Sequence, residues 1–463
     1  MAVDMLKRKM TDHIRNWEIT MPKKALLLLG ARQTGKTFTV RSYAREQNLP
    51  FIEVNFLEDE ENARFLSAAT SAKELLSRLS LVTGHTVELG TLIFFDEIQH
   101  LGQNAVTLSK FIVEDGRYKL ILSGSLLGTY LKGVTSFPVG YAHIERMYPL
   151  DFEEFCWAMG VPENVIELIR QSYHTLEPLE SSLHERLIEL YRRYIVVGGM
   201  PEAVQRFIES DQNLGAARSV NIDIAQQYRY DIAKYANARS MQIQTIFDNI
   251  PAQLAKVNKR FMMMSVKKNG TYERLRDDFS WLVDAGVALP AHIATEPKYP
   301  LLRTKVAEKF KLYDSDCGML LAQYPTSATM KIVSGDGDAN FGAVYENVVA
   351  QELAAAGFPL YYYNNNRKGE VDFLIETSNG TIAPIEVKSG KDYKLHLALR
   401  NLLGCREYGI EYAIVLSEFN LSIEEREGQT VRYLPLYMTL CLADERQQSL
   451  AGVKLEKIDF STL

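Results

Sequence analysis

Short apolar runs, each ending at a polar cluster, punctuate the first third of the chain. Ala25-Leu-Leu-Leu-Leu29, Phe51–Asn55, Leu92–Phe95 and Lys119–Leu122 alternate with amphipathic stretches, and a run near His143–Met147 closes the series. Runs of this length fit strands buried in a parallel sheet, and the stretches between them fit the helical crossovers that such a sheet needs. The pattern predicts a five-stranded α/β domain over residues 1–149. A basic segment, Met1–Asn16, reads as a helix leading into the first strand. It either closes over whatever the first strand presents or is a solvated surface helix.

Beyond Pro149 the periodicity turns helical, through Leu183–Tyr194, and breaks at Gly198-Gly-Met-Pro-Glu202. Proline suits the first turn of a restarted helix, so residues 150–235 are expected to form an all-helical lid. Residues 236–330 follow a different grammar. Helical stretches flank a turn at Asn269-Gly270, Thr271 is placed to cap a helix over Tyr272–Val283, and a basic strand pair follows Ala285-Gly286 and ends at Phe310–Tyr313. Helix, turn, helix and basic hairpin is the order of a winged helix, with Lys267 and Lys268 in the turn and Arg274 and Arg276 on the exposed face. From Phe341 the order is helix (342–356), three strands (360–363, 370–376, 381–388), helix (393–407) and strand (411–416). This predicts an α/β domain over residues 335–440 and a tail over 441–463.

A chain of 463 residues is too long for one core, and two to four domains are expected. The formal charge of -6 gives no global basic character, which excludes a nucleic-acid coat protein. The charge is uneven, however. Between Lys256 and Lys311 twelve Lys/Arg stand against six Asp/Glu, a local +6 that leaves -12 for the remainder. Cys156, Cys317, Cys405 and Cys441 are scattered without CxxC spacing, which argues against a zinc site or a disulfide framework and fits a reducing cytoplasm. No N-terminal apolar region and no apolar run of about 18 residues is present, so neither a signal peptide nor a membrane span is expected.

The first strand runs directly into Gly30-Ala31-Arg32-Gln33-Thr34-Gly35-Lys36-Thr37, with Phe38 opening the helix behind it. This is a complete phosphate-binding loop. Its glycines allow the backbone N–H groups to form a nest around phosphates, Lys36 reaches the β/γ oxygens, and the Thr37 hydroxyl ligates Mg²⁺. A helix starting near Lys36 turns its positive dipole end to the same anion. The third strand ends in Asp96-Glu97. In that position Asp96 holds Mg²⁺ through its water shell and Glu97 orients and polarises an attacking water. The fourth strand ends in Ser123-Gly-Ser125, and Ser125 is the candidate sensor of the γ-phosphate. ATP and Mg²⁺ are the ligands these residues imply.

A second constellation lies near the C-terminus, in Gly369-Glu-Val-Asp372 and Ile385-Glu-Val-Lys388. Strand alternation puts Glu386 and Lys388 on one face, and Asp372 on a neighbouring strand can enter the same cleft. Two carboxylates and a lysine could hold a second Mg²⁺ and steady the charge on a phosphodiester. The set resembles the PD-(D/E)xK nuclease pattern, in which Glu346 on the preceding helix matches an additional acidic position. That resemblance implies a restriction-endonuclease-like domain, and leaves open whether it cuts or only binds.

Taken together with Tyr148-Pro-Leu-Asp-Phe-Glu-Glu-Phe155, Gly198–Glu202 and Tyr230-Asp-Ile-Ala-Lys234, these motifs resemble a large prokaryotic family of AAA-type ATPases with an archaeal-ATPase-like nucleotide domain and an uncharacterised C-terminal half. The resemblance implies ATP binding and hydrolysis and a role connected with DNA or with defence. The chain departs from the family at Tyr141, where relatives carry a basic residue. If that residue is an arginine finger, Lys132 or Arg146 is left to replace it, and assembly into a homo-oligomer stays open. The expected function is an ATP-driven switch or motor acting on DNA. The alternatives are an ATP-coupled nuclease at Asp372, Glu386 and Lys388, and a signalling ATPase whose C-terminal domains bind a protein partner.

Overall fold

Five parallel strands, β1 (Ala25–Leu29), β2 (Phe51–Asn55), β3 (Leu92–Asp96), β4 (Lys119–Gly124) and β5 (Ala142–Arg146), build the first sheet. The computed structural model describes residues 6–102, 104–124, 140–336, 341–426 and 428–446. The strand order is β2-β3-β4-β1-β5. β2 follows β1 in sequence but lies at the sheet edge, and β4 is the strand inserted between β1 and β3. All five residues of β3 are buried, as its unbroken apolar run requires. One face of the sheet packs Leu27, Ile93, Phe95 and Leu122 against the helices Glu60–Ser67, Ala72–Thr83 and Asn104–Asp115. The other packs Leu26, Leu28, Phe94 and Ile121 against Ile14 and Trp17 of the N-terminal helix Met10–Thr20 and Tyr43 of the helix Lys36–Glu46.

The expected lid is all helical: Phe152–Ala158, Glu163–Thr175, Ser181–Val197, Pro201–Glu209 and Leu214–Tyr235. Pro201 takes the first turn of its helix, as the Gly-Gly-Met-Pro break predicts. Asp151 and Glu154 form a reciprocal capping box at the start of the lid.

The second sheet has eight strands in the order β12-β13-β11-β10-β9-β8-β6-β7. They are β6 (Ala288–Ala294), β7 (Lys305–Asp314), β8 (Tyr361–Asn365), β9 (Gly369–Glu376), β10 (Ile382–Val387), β11 (Tyr412–Ser417), β12 (Ser422–Arg426) and β13 (Gln429–Pro435). The helices Gly342–Ala355 and Leu397–Leu403 complete the expected α-β-β-β-α-β order. Two findings change the expected organisation. The basic hairpin β6–β7 is not a free wing, because β6 pairs in parallel with β8 through His292↔Tyr361 and Ile293↔Tyr362. The boundary drawn between 236–330 and 335–440 therefore runs through one continuous sheet. The last hairpin, β12–β13, was not expected at all.

The helices Ser240–Leu254 and Tyr272–Asp284 flank the turn before that hairpin, but Thr271, at the cap position, makes no side-chain cap hydrogen bond. The reason for the merged boundary is apolar. A single core cluster contains Phe152, Tyr191 and Tyr194 of the lid, Phe279 and Phe310 of the hairpin region, and Val349, Phe373 and Tyr437 of the C-terminal part. The first residues of the expected tail join it through Cys441 and Leu442; residues 447–463 lie outside the described part of the chain. Among the described residues no helix is long and apolar enough to cross a membrane.

Candidate functional site

The phosphate-binding loop leaves β1 at Gly30, whose φ of +151° and close approach to β5 exclude a side chain: a Cβ there would lie 2.2 Å from the Met147 carbonyl oxygen. The loop closes on itself through the Thr34 hydroxyl, which donates to the Ala31 carbonyl at 2.9 Å. Gly35 then takes the N-cap of the helix Lys36–Glu46 without a side-chain cap, which leaves the first N–H groups of the helix to an anion. Lys36 is buried and donates to the carbonyls of Gly30 (3.0 Å) and Ala31 (2.7 Å). Burial lowers the pKa of its ammonium, against the pull of Glu97 and Asp96, so phosphate oxygens would strengthen its charged form.

Asp96, at the end of β3, gathers three donors. The Thr37 hydroxyl donates to Oδ2 at 2.7 Å, the Glu97 N–H donates to Oδ1 at 3.0 Å, and the Ser123 hydroxyl donates to the same Oδ1. Thr37 and Asp96 thus fit an Mg²⁺ ion as the residues that would hold it. Glu97 has a left-handed φ of 52°, uncommon for a non-glycine residue and found where a site fixes a side chain's direction. Its carboxylate accepts from the Gln99 amide. The candidate sensor Ser125 lies outside the described residues, and the serine that meets Asp96 is Ser123, two positions earlier.

These groups border a cavity of about 450 Å³, within the range of small-ligand sites. Arg32, Gln33, Gly35, Lys36, Thr37 and Phe38 line one side and Glu97 another. The remaining walls were not assigned from sequence. Leu6 and Arg8 come from the N-terminal segment, Arg41 from the helix Lys36–Glu46, and Pro201, Glu202 and Gln205 from the lid. Arg8 is buried and donates to the Thr34 carbonyl at 2.7 Å, the Tyr148 carbonyl at 2.8 Å and Glu154 at 3.1 Å. The N-terminal segment thereby reaches the loop itself.

The loop is also tied to the lid. Arg32 pairs with Asp231 at 2.5 Å, and Tyr228 donates to the Arg32 carbonyl at 2.9 Å. This gives the Tyr230–Lys234 motif a structural role. Gly286, at the base of the hairpin, packs so closely that a Cβ would lie 2.7 Å from the Ala31 nitrogen. Gly199 of the Gly-Gly-Met-Pro break donates its N–H to Asp316 at 2.6 Å, and its carbonyl accepts from the Leu150 N–H at 2.7 Å.

Of the two arginine-finger candidates, Arg146 is not among the residues that line this cavity. Arg146 donates to the Val283 carbonyl at 3.4 Å and borders other cavities, and Lys132 lies outside the described residues. Tyr141 precedes β5 at the end of the sheet opposite the loop, where its carbonyl accepts from the Ala25 N–H.

The C-terminal constellation does come together, with a lysine no sequence pattern marks. Glu346, Asp372 and Glu386 are buried, and Glu346 and Asp372 lie beside the amine of Lys311, which has no exposed surface. Lys311 Nζ lies 2.7 Å from Glu370, 3.5 Å from Glu346 and 3.7 Å from Asp372. Lys259 pairs with the other Glu346 oxygen, and Tyr313 donates to Glu346 Oε2 at 3.2 Å. Asp372 Oδ2 accepts the Val387 N–H at 2.9 Å, and Lys388 pairs with Glu386 at 2.8 Å. Mg²⁺ keeps several of its waters and takes one or two carboxylates whose charge is not already compensated. Here Glu346 is paired with Lys259 and Lys311, Asp372 with Lys311, and Glu386 with Lys388, so ammonium groups already compensate their charge. Among the described residues no three or more His, Cys, Asp or Glu are disposed to hold a metal. The residues therefore do not fit the second Mg²⁺ expected at Asp372, Glu386 and Glu346, nor a role for Lys388 in cleavage beside it.

The strand order, phosphate loop and Asp96-Glu97 pair are those of an AAA-type nucleotide-binding domain. Residues 22–156 match the family model of an AAA domain. Residues 188–329 and 341–437 match two domains of unknown function, DUF8612 and DUF4143. No curated protein matches the chain. Among solved structures, PCH-2 from C. elegans shares 16% identity over 35% of this chain and 44% of its own, at a TM-score of 0.23.

Proposed function

We propose that the chain is an ATP-hydrolysing switch or motor whose nucleotide state is passed to its C-terminal body and used on DNA. The 2.7 Å contact between Thr37 and Asp96, at a cavity lined by Thr37, Lys36 and Glu97, carries the hydrolytic part of this reading. Loop N–H groups and Lys36 bind the phosphates and orient the γ-group. Glu97 positions the attacking water and takes its proton. Mg²⁺, when held by Thr37 and Asp96, neutralises charge on the phosphate oxygens. Arg32 and Gly286 join the same loop to Asp231 and the base of the β6–β7 hairpin, so a shift of the loop is felt by both.

DNA is the proposed target because Lys267, Lys268, Arg274 and Arg276 are all exposed around one turn and the helix after it. Phosphate contacts of this kind release counterions, so affinity should fall steeply with salt. A titration of double- and single-stranded DNA is expected to show binding at 50 mM salt that weakens by at least about tenfold at 200 mM, together with DNA-stimulated ATP turnover. Absence of binding at 50 mM salt would remove DNA from the account. It would favour a protein partner, for which the exposed Met264, five residues before the Asn269 turn, offers an adaptable apolar contact.

A further inference from the structure

The geometry points to Lys311 as the resident cation of the C-terminal carboxylate cleft: its amine compensates Glu346, Glu370 and Asp372 while Lys388 compensates Glu386, and the cleft is a metal-free ion-paired joint that does not cleave phosphodiesters. An ammonium with no solvent exposure is costly unless surrounded by compensating charge. Lys311 has that compensation from Glu346, Glu370 and Asp372, and its amine also lies 5.1 Å from the centre of the Tyr362 ring.

The source of the lysine matters. Lys311 belongs to β7, in the hairpin that precedes the α-β-β-β-α-β unit, while the carboxylates belong to β9 and the helix Gly342–Ala355. Lys259, also from the preceding segment, reinforces it on Glu346. The charges thus cross the boundary between the two expected domains and hold the hairpin to the rest of the sheet. Among the described residues Glu386 Oε2 is buried without a hydrogen-bond partner, but the charge of that carboxylate is already compensated by Lys388 through Oε1. The pKa of Lys311 is raised although burial alone would lower it; Tyr313, Glu346, Asp372 and Glu370 outweigh that burial, which agrees with an ammonium at the centre of the cluster.

Two measurements on the nucleotide-free full chain test this. Mn²⁺ binding, followed by electron paramagnetic resonance, is expected to be the same in wild type and Asp372→Asn, because any ion near Thr37 and Asp96 is common to both. A Mn²⁺ site present in wild type and missing in Asp372→Asn would overturn the proposal. In thermal unfolding, Lys311→Met is expected to lower Tm by at least about 6 °C, since it strands buried carboxylates. The double variant Lys311→Met/Asp372→Asn should recover about half of that loss. If Lys311→Met does not fold, recovery of folded protein in the double variant is the equivalent result. A Lys311→Met chain as stable as wild type, or a double variant no better than the single one, would also overturn it.

Discussion

Two hydroxyls and a backbone N–H converge on the Asp96 carboxylate, and only one of the hydroxyls was assigned from the sequence. Thr37 belongs to a motif whose spacing fixes its role, whereas Ser123 and Ser125 are separated by one glycine, and nothing local says which of them faces β3. The register does: β3 and β4 pair through Phe95↔Leu122, which brings Ser123 level with Asp96. Ser123→Ala is expected to lower kcat about tenfold while KM for ATP stays within about twofold, the effect of losing roughly 1.4 kcal/mol of orientation at Asp96. Steady-state phosphate release checks this, and an unchanged kcat would assign the contact to structure alone. Lys311 was illegible for a different reason. A lysine in the sequence Phe310-Lys-Leu-Tyr313 reads as one more charge of a basic hairpin, and its burial comes from a helix more than thirty residues away.

At the scale of elements, buried parallel strands were the most legible feature, because both faces are apolar and the run length alone marks them. β12 was not, since Ser422-Ile-Glu-Glu-Arg426 is a half-exposed edge strand whose charges hide its pairing with β13. The helix Leu214–Tyr235 was legible as a helix, but its reach to the phosphate loop was not. Asp231→Asn removes the charge that holds Arg32. ATP affinity is expected to change by no more than about threefold, as for a partly exposed pair. Nucleotide-dependent change in amide exchange along that helix should be lost. Exchange that still responds to nucleotide would place the coupling elsewhere.

The helix Gly342–Ala355 makes a second prediction. Glu352 is buried between three helices and accepts from the Phe152 N–H at 3.0 Å and the Tyr194 hydroxyl at 2.7 Å. Burial, assisted by the charge of Asp151, pushes its carboxyl up to about 8. The folded chain therefore keeps a proton that the unfolded chain gives up near its ordinary pKa of about 4.3. The stability this contributes is complete below about pH 4.3 and is lost as pH rises through 8. Glu352→Gln keeps an acceptor oxygen and has no proton to lose. It is expected to flatten the fall in Tm above pH 6 and to raise Tm at pH 9 by about 3 °C. A parallel decline in both proteins would mean that Glu352 does not titrate in this range.

For the molecule as a whole, the five parallel strands of the nucleotide domain were legible in the sequence, because each is a short run ending at a polar cluster. In the C-terminal half the α-β-β-β-α-β order was legible, while the β12–β13 hairpin and the sharing of one sheet across residues 330–341 were not. The β6–β7 hairpin, expected as a separate wing, shares a sheet with β8 and a core with the helix Gly342–Ala355, and such sharing depends on contacts between segments that carry no common local pattern. The loop Gly30–Thr37 therefore stands at the meeting point of three bodies: its own sheet, the lid through Arg32 and Asp231, and the hairpin base through Gly286. Everything proposed for the C-terminal half as a responding part depends on turnover at that loop.

The most direct measurement is ATP binding and steady-state phosphate release in wild type, Lys36→Ala and Glu97→Gln side by side. Wild type should bind and hydrolyse ATP. Lys36→Ala should lose tight binding and turnover together. Glu97→Gln should bind as wild type does and hydrolyse at least about 100-fold more slowly, the usual loss when a general base is removed. Wild-type turnover in Lys36→Ala would contradict the account at its centre.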